Sequence, residues 1–157
     1  MQATVTSEQA LAADLYALVV HIHKNCNSDL FEAVGTLDLS FTQIKLLHYL
    51  GDADDELTLK QAAEAVHVSL PAASRMVDDL VRRGFVERRE DSEDRRMKRV
   101  RVTESARAVI RRINAARLSG LEEFTRGLTD SERQALSTAL DELLKRPEVA
   151  DCRPEVA

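Results

Sequence analysis

Hydrophobic residues recur at helical spacing over most of the chain and alternate with charges in one short stretch near its middle. From Ala10 to Cys26 the positions Leu11, Leu15, Leu18, Val19, Ile22 and Cys26 form a helix stripe, which Tyr16 and Val20 widen. A helix apolar over so much of its circumference needs burial on more than one side, which in a chain of 157 residues predicts a partner subunit. Residues 29–36 are expected to continue it irregularly, with Gly35 as its end. Ser40-Phe41-Thr42-Gln43 is a capping-box pattern opening a helix with Ile44, Leu47 and Leu50 inward, stopped near Gly51. The carboxylates Asp52, Asp54, Asp55 and Glu56 follow; without the glycine and terminal glutamate of a calcium loop they read as a solvated turn.

The stretch from Thr58 to Thr103 has a different texture. Thr58-Leu59-Lys60-Gln61 repeats the capping box, and Leu59, Ala62, Ala63 and Val66 give a short amphipathic helix. His67-Val68-Ser69 interrupts it. Ser69 then caps a second helix, with Pro71 tolerated in its first turn and Ala73, Met76, Val77, Leu80 and Val81 predicted inward. Pro71, Ala72, Ser74, Arg75, Asp78 and Asp79 are left on the outer side. The pair reads as a helix-turn-helix. Gly84 supplies a left-handed cap position, after which residues 85–89 and 99–102 alternate apolar and charged side chains, predicting two antiparallel strands around a loop from Glu90 to Lys98. Thr103 caps a long helix to about Arg126. Thr129-Asp130-Ser131-Glu132 starts a last helix with Leu136, Ala139, Leu140, Leu143 and Leu144 on one face, which Pro147 is expected to terminate. The apolar faces of the first helix and of the two closing helices predict an intertwined dimer, the alternative being an intramolecular bundle.

Composition narrows this picture. With 44% hydrophobic but only 4% aromatic residues, a core must be built from Leu, Val, Ile and Ala, which suits packed helices better than a large sheet sandwich. The expected class is mainly α with a small antiparallel β-hairpin (α+β). No run is long and apolar enough to span a membrane, and Met1 to Ser7 has no Lys or Arg to open a signal peptide, so a cytoplasmic protein is expected. Cys26 and Cys152 form no metal-type pair, and His21 and His23, two apart on a helix, diverge; no metal or cofactor is expected.

Charge sharpens the reading further. The net charge is −5, yet residues 75–112 hold 13 basic against 8 acidic side chains, whereas residues 1–74 hold 3 against 10. Positive charge is concentrated in the second helix, the hairpin and the start of the long helix, where it suits phosphates while the acidic remainder limits indiscriminate binding. The adjacent Arg95 and Arg96 at the loop tip suit a narrow minor groove, with neighbouring carboxylates such as Asp94 able to orient a guanidinium. Phosphate-binding glycine loops, nucleophile elbows and metalloprotease motifs are absent, so no catalytic residue is assigned and no enzyme is expected.

Taken together and in this order, residues 59–68, Ser74-Arg75, Leu80-Val81-Arg82-Arg83-Gly84-Phe85-Val86-Glu87-Arg88, 91–96 and 128–144 resemble the MarR-type winged helix-turn-helix regulators. The resemblance runs from about Leu39 to Leu144, with Ser105 standing where the family usually has glycine. It implies a bacterial or archaeal homodimer on pseudo-palindromic promoter DNA, nucleoid-associated when bound and usually a repressor released by a small ligand or an oxidant. Its implied organisation is a dimerising N-terminal helix in 1–38, a winged helix-turn-helix in 39–103 and dimerising helices in 104–157. Carried over by position, Pro71, Ala72, Ser74 and Arg75 would face the major groove of double-stranded DNA. Arg96, oriented by Asp94, would enter the minor groove, with Arg95 as its substitute. An aromatic or phenolic effector would lie near Tyr16, His21, His48 and Tyr49, and Cys26 is the candidate oxidant-sensing thiol. The rival expectation is a winged-helix protein-interaction module without DNA binding, using its wing charge on an acidic partner.

Overall fold

A computed structural model describes residues 7–53, 55–94 and 96–152. Its elements are α1 (Glu8–Asn25), α2 (Ser28–Gly35), α3 (Phe41–Asp52), β1 (Leu57–Thr58), α4 (Leu59–Val66), α5 (Leu70–Arg82), β2 (Val86–Glu90), β3 (Lys98–Val102), α6 (Glu104–Arg126), α7 (Asp130–Leu143) and α8 (Pro147–Ala150). Two compact units divide the chain, one of residues 33–113 and one of residues 1–32 with 114–157.

The unit of residues 33–113 contains the helix-turn-helix and a three-stranded antiparallel sheet of order β1-β3-β2. Two capping boxes set its helix starts. Ser40 and Gln43 exchange side-chain and backbone bonds at α3, and Thr58 and Gln61 do so at α4, each satisfying two backbone donors that a helix start leaves unpaired. The turn between α4 and α5 is made by His67, whose backbone is left-handed at φ 58°, and Ser69 accepts from the Ala72 amide to begin α5. Leu46, Leu47, Val77, Leu80, Val100 and Ile113 are fully buried, so α3, α5, β3 and the first part of α6 share one core. Gly84, at φ +76°, turns the chain from α5 into β2, and its carbonyl accepts from the Thr103 hydroxyl at 2.7 Å, tying both ends of the hairpin together.

In the other unit α1 packs few of its side chains away: Leu11, Leu15 and Val19 are each more than half exposed. On α7, Leu140 and Leu143 are exposed as well. Gly120 of α6 lies so close to the junction of α1 and α2 that a methyl group there would overlap the Cys26 carbonyl oxygen and stand 2.9 Å from Asn27 Oδ1.

Several sequence expectations need correcting. The first helix does not continue irregularly: it stops at Asn25, and Ser28 begins a separate helix. The hairpin is joined by a third strand, because Leu57 and Thr58 pair with Val100 and Arg99. Val81, expected inward, is 38% exposed, and Met76 is only half-buried, since the buried face of α5 is the narrower row Ala73, Val77 and Leu80. Pro147 does not simply terminate a helix; it occupies the first turn of α8, where its missing N–H costs nothing. The acidic turn is not wholly solvated either: Glu56 is half-buried and ion-paired, while Asp54 lies outside the described residues.

Candidate nucleic-acid interface

The outer side of α5 begins with Pro71, Ala72, Ser74 and Arg75. Pro71 and Arg75 are exposed, and Ala72 and Ser74 are half-buried. This disposition follows from the inward row at positions 73, 77 and 80, which leaves the first two turns free on their far side. The helix is held at its other end. Asp79 accepts from Gln43 Nε2 at 2.8 Å and from Arg82 Nη2 at 2.9 Å. Arg83 donates to the carbonyls of Leu37 and Asp38, fixing the loop before α3. Asp78 pairs with Arg88 at 2.7 Å and so fastens α5 to β2.

The hairpin register explains the wing's electrostatics. Glu87 faces Arg101 and Arg89 faces Arg99, so these four side chains share one surface of the sheet, while Val86, Val100 and Val102 line the other. On the charged surface Arg101 bonds Glu87 through Nε at 2.7 Å, and Arg89 Nε bonds Glu56 at 2.6 Å. Lys98 pairs with Glu90 at 2.8 Å, which lowers the Glu90 carboxyl below its ordinary range. Arg99 bonds the Asp91 carboxylate through Nε and the Glu56 carbonyl through Nη1.

Asp91 organises the loop between the strands. It is 5% exposed and is the buried charged residue of the described core. One oxygen accepts from the Glu93 amide at 2.8 Å and the Asp94 amide at 3.0 Å; the other accepts from Arg99. The Arg99 guanidinium foremost, then the two amides, hold its carboxyl down to about 2. Asp94 in turn accepts from the Arg96 backbone amide at 2.9 Å. Its described bond is therefore to the backbone of Arg96, not to the guanidinium that the sequence expectation had it orient. Arg96 is exposed, and neither its side chain nor that of Arg75 is ion-paired among the described residues. Arg95 lies outside the described residues.

The candidate effector residues divide between the two units. Tyr16 and His21 lie on α1, Tyr16 exposed and the His21 ring 6.2 Å from that of Phe124. His23 instead stacks edge-on with Phe31, so the two histidines face different partners, as their spacing predicts. His48 and Tyr49 lie on α3, His48 half-buried and Tyr49 exposed under the Lys45 ammonium. Cys26 is buried at the end of α1 and Cys152 is exposed, and neither forms a disulfide.

Sequence reasoning counted Asp91 only among the carboxylates able to orient a tip arginine, put Glu56 in a solvated turn and gave Arg99 no partner. The register that pairs Glu87 with Arg101 is readable from a hairpin alternation, but Glu56 lies 33 residues from Arg89, and nothing in spacing links them.

Residues 37–97 match the family model of the MarR family. Solved structures of similar fold include RV1404 from Mycobacterium tuberculosis, 19% identical with a TM-score of 0.76, covering 94% of this chain and 99% of that one. A MepR variant from S. aureus bound to an oligodeoxyribonucleotide is 20% identical with a TM-score of 0.66, covering 85% and 96%. Wild-type MarR from E. coli in its apo form is 27% identical with a TM-score of 0.57, covering 83% and 96%. Residues 37–97 thus match the MarR family, and the chain shares the winged helix-turn-helix fold of these solved structures.

Proposed function

We propose that the chain works as a homodimeric repressor on a pseudo-palindromic promoter site in the bacterial cytoplasm. Each subunit sets the first two turns of α5 into a major-groove half-site, using Ser74 and Arg75 for polar contacts and Pro71 and Ala72 for apolar contact with thymine methyls. The wing brings Arg96, with Arg95 beside it, to the adjacent minor groove, whose negative potential favours a guanidinium. The observation that carries this reading is that Arg75 and Arg96 are exposed and, among the described residues, without an ion-pair partner, amid basic side chains largely engaged by carboxylates.

A second copy of the chain is favoured by the apolar side chains left exposed on α1 and α7, a surface of the kind that marks an interface. The reading also includes control by a small aromatic or phenolic ligand, acting by shifting the population of DNA-competent dimers. Burial of Cys26 favours a packing role over a redox one.

Sedimentation equilibrium of the chain alone and with a DNA fragment selected from genomic DNA tests the assembly. A dimer alone and two chains per fragment are expected; one chain per fragment, with no dimer at micromolar concentration, overturns the proposal. Mobility shifts of Arg75→Ala at fixed salt test the contacts, and unchanged affinity removes Arg75 from the interface.

A further inference from the structure

We propose that Asp91, joined through Arg99 to Glu56, is a positioning residue for the wing arginine: a relay of hydrogen bonds running from the segment before β1 to the loop tip fixes where Arg96 stands. The proposal rests on the reading of Arg96 as a minor-groove contact.

A two-stranded hairpin by itself leaves its loop free to swing, because the ladder ends where the loop begins. Here the last ladder pair is Glu90 with Lys98, and the tip lies beyond it. Five bonds carry order past that point. The Asp91 amide donates to the Met97 carbonyl at 3.1 Å and the Met97 amide to the Asp94 carbonyl at 2.8 Å, closing the loop on itself. The Asp91 carboxylate gathers the Glu93 and Asp94 amides, and Asp94 gathers the Arg96 amide. Each residue from Glu93 to Met97 whose backbone is described is thus held directly or at one remove by Asp91.

The carboxylate needs an anchor of its own, and Arg99 provides it. This guanidinium spends Nε on Asp91 and Nη1 on the Glu56 carbonyl at 3.2 Å. Glu56 also receives Arg89 at 2.6 Å and lies 3.7 Å from Arg101, so it collects guanidinium groups from both hairpin strands. Glu56 directly precedes β1, which pairs with β3, so the anchor belongs to the sheet rather than to the loop. The geometry suits burial. Asp91 is shielded from water, where a charge-assisted bond holds more firmly than one between exposed groups. It is a different device from the Asp94 contact, which reaches only the adjacent turn.

A double-mutant cycle on the full chain decides the matter. Operator affinity is measured by fluorescence anisotropy at fixed salt for Arg96→Ala, Asp91→Ala and the combined variant. Arg96→Ala is expected to weaken binding by about 5- to 150-fold. Asp91→Ala is expected to lose a comparable factor, and the combined variant no more than the worse single one, because a displaced Arg96 and an absent one are equivalent. Asp91→Asn keeps an oxygen for the two amides but loses the charge facing Arg99, so it should fall between wild type and Asp91→Ala. Hydrogen exchange of the DNA-free proteins supplies the readout that general destabilisation would not produce: amides 92–97 exchange faster in Asp91→Ala while those of α3 and α5 keep their wild-type protection. Wild-type affinity in Asp91→Ala, losses that multiply in the combined variant, or faster exchange spread evenly over the chain would each overturn the proposal. If Asp91→Ala fails to fold, Asp91→Asn carries the same comparisons. Should Arg96→Ala bind as well as wild type, the minor-groove reading falls, while exchange at 92–97 still decides whether Asp91 orders the tip.

Discussion

The salt dependence of DNA binding is where the pairing pattern of the basic segment has its largest measurable effect. Between Arg75 and Arg112 lie 13 basic residues, and eight of them (Arg82, Arg83, Arg88, Arg89, Lys98, Arg99, Arg101 and Arg111) have a carboxylate within ion-pair distance. Among the described residues of α5 and the wing, Arg75 and Arg96 are the arginines without one. Each phosphate neutralised contributes about −0.9 to the slope of log K against log salt, so two arginines in each of two subunits give a slope near −4. Were all ten basic residues from Arg75 to Arg101 to contact phosphates instead, the same arithmetic would give about −18. Opening one exposed pair costs only about 0–1 kcal/mol, so DNA can claim a guanidinium wherever a phosphate is better placed, and the slope reads directly how often it does. Anisotropy titrations between about 50 and 200 mM salt measure it. Arg96→Ala removes one contact per subunit and should flatten the slope by about 2. A wild-type slope steeper than about −10, or an Arg96→Ala slope equal to wild type, refutes the reasoning that internal pairing withholds the remaining arginines.

Three further outcomes follow from the packing and the charges. Gly120→Ala should destabilise the chain by about 1–3 kcal/mol in urea unfolding, because the new methyl overlaps the Cys26 carbonyl oxygen; an unchanged midpoint would show that α6 shifts freely there. Leu80→Ala, at a fully buried site on the inner row of α5, should cost about 2–5 kcal/mol in the same assay, whereas Val81→Ala, at an exposed site, should stay within about 0.5 kcal/mol. The Asp91 carboxyl is held at about 2 in the folded chain, below its ordinary value of 3.8, so its stabilisation is present above about pH 4 and is lost as pH falls toward 2. Stability measured across that window should fall less steeply in Asp91→Asn than in wild type, and identical slopes would contradict the assignment.

The parts of this fold that are legible in the sequence are those governed by neighbours in the chain. Ser40 with Gln43, Thr58 with Gln61 and Thr129 with Glu132 are three residues apart, and all three form the capping boxes their spacing predicts. Gly84 likewise occupies the left-handed position assigned to it. What escapes is decided at a distance or over too few residues. β1 is two residues long, shorter than any alternation can reveal, and exists because β3 offers it an edge. His67 takes a left-handed backbone that composition assigns to glycine or asparagine, because the turn geometry outweighs the local preference. Asp91 reads as one more charge in a charged loop; only the fold brings Arg99 against it and closes the tip over it. The break after Asn25 is hidden for the opposite reason: the apolar stripe runs on through it, and the close approach of Gly120 is invisible in one dimension.

On the proposed function, two copies of α5 and two wings read one two-fold DNA site. Selection from genomic fragments followed by hydroxyl-radical footprinting tests it most directly. Enrichment of a short inverted repeat is expected, with two protected half-sites about 10 base pairs apart and flanking minor-groove protection that disappears in Arg96→Ala. Enrichment of no fragment, or protection of a single asymmetric half-site unaltered by Arg96→Ala, would contradict it.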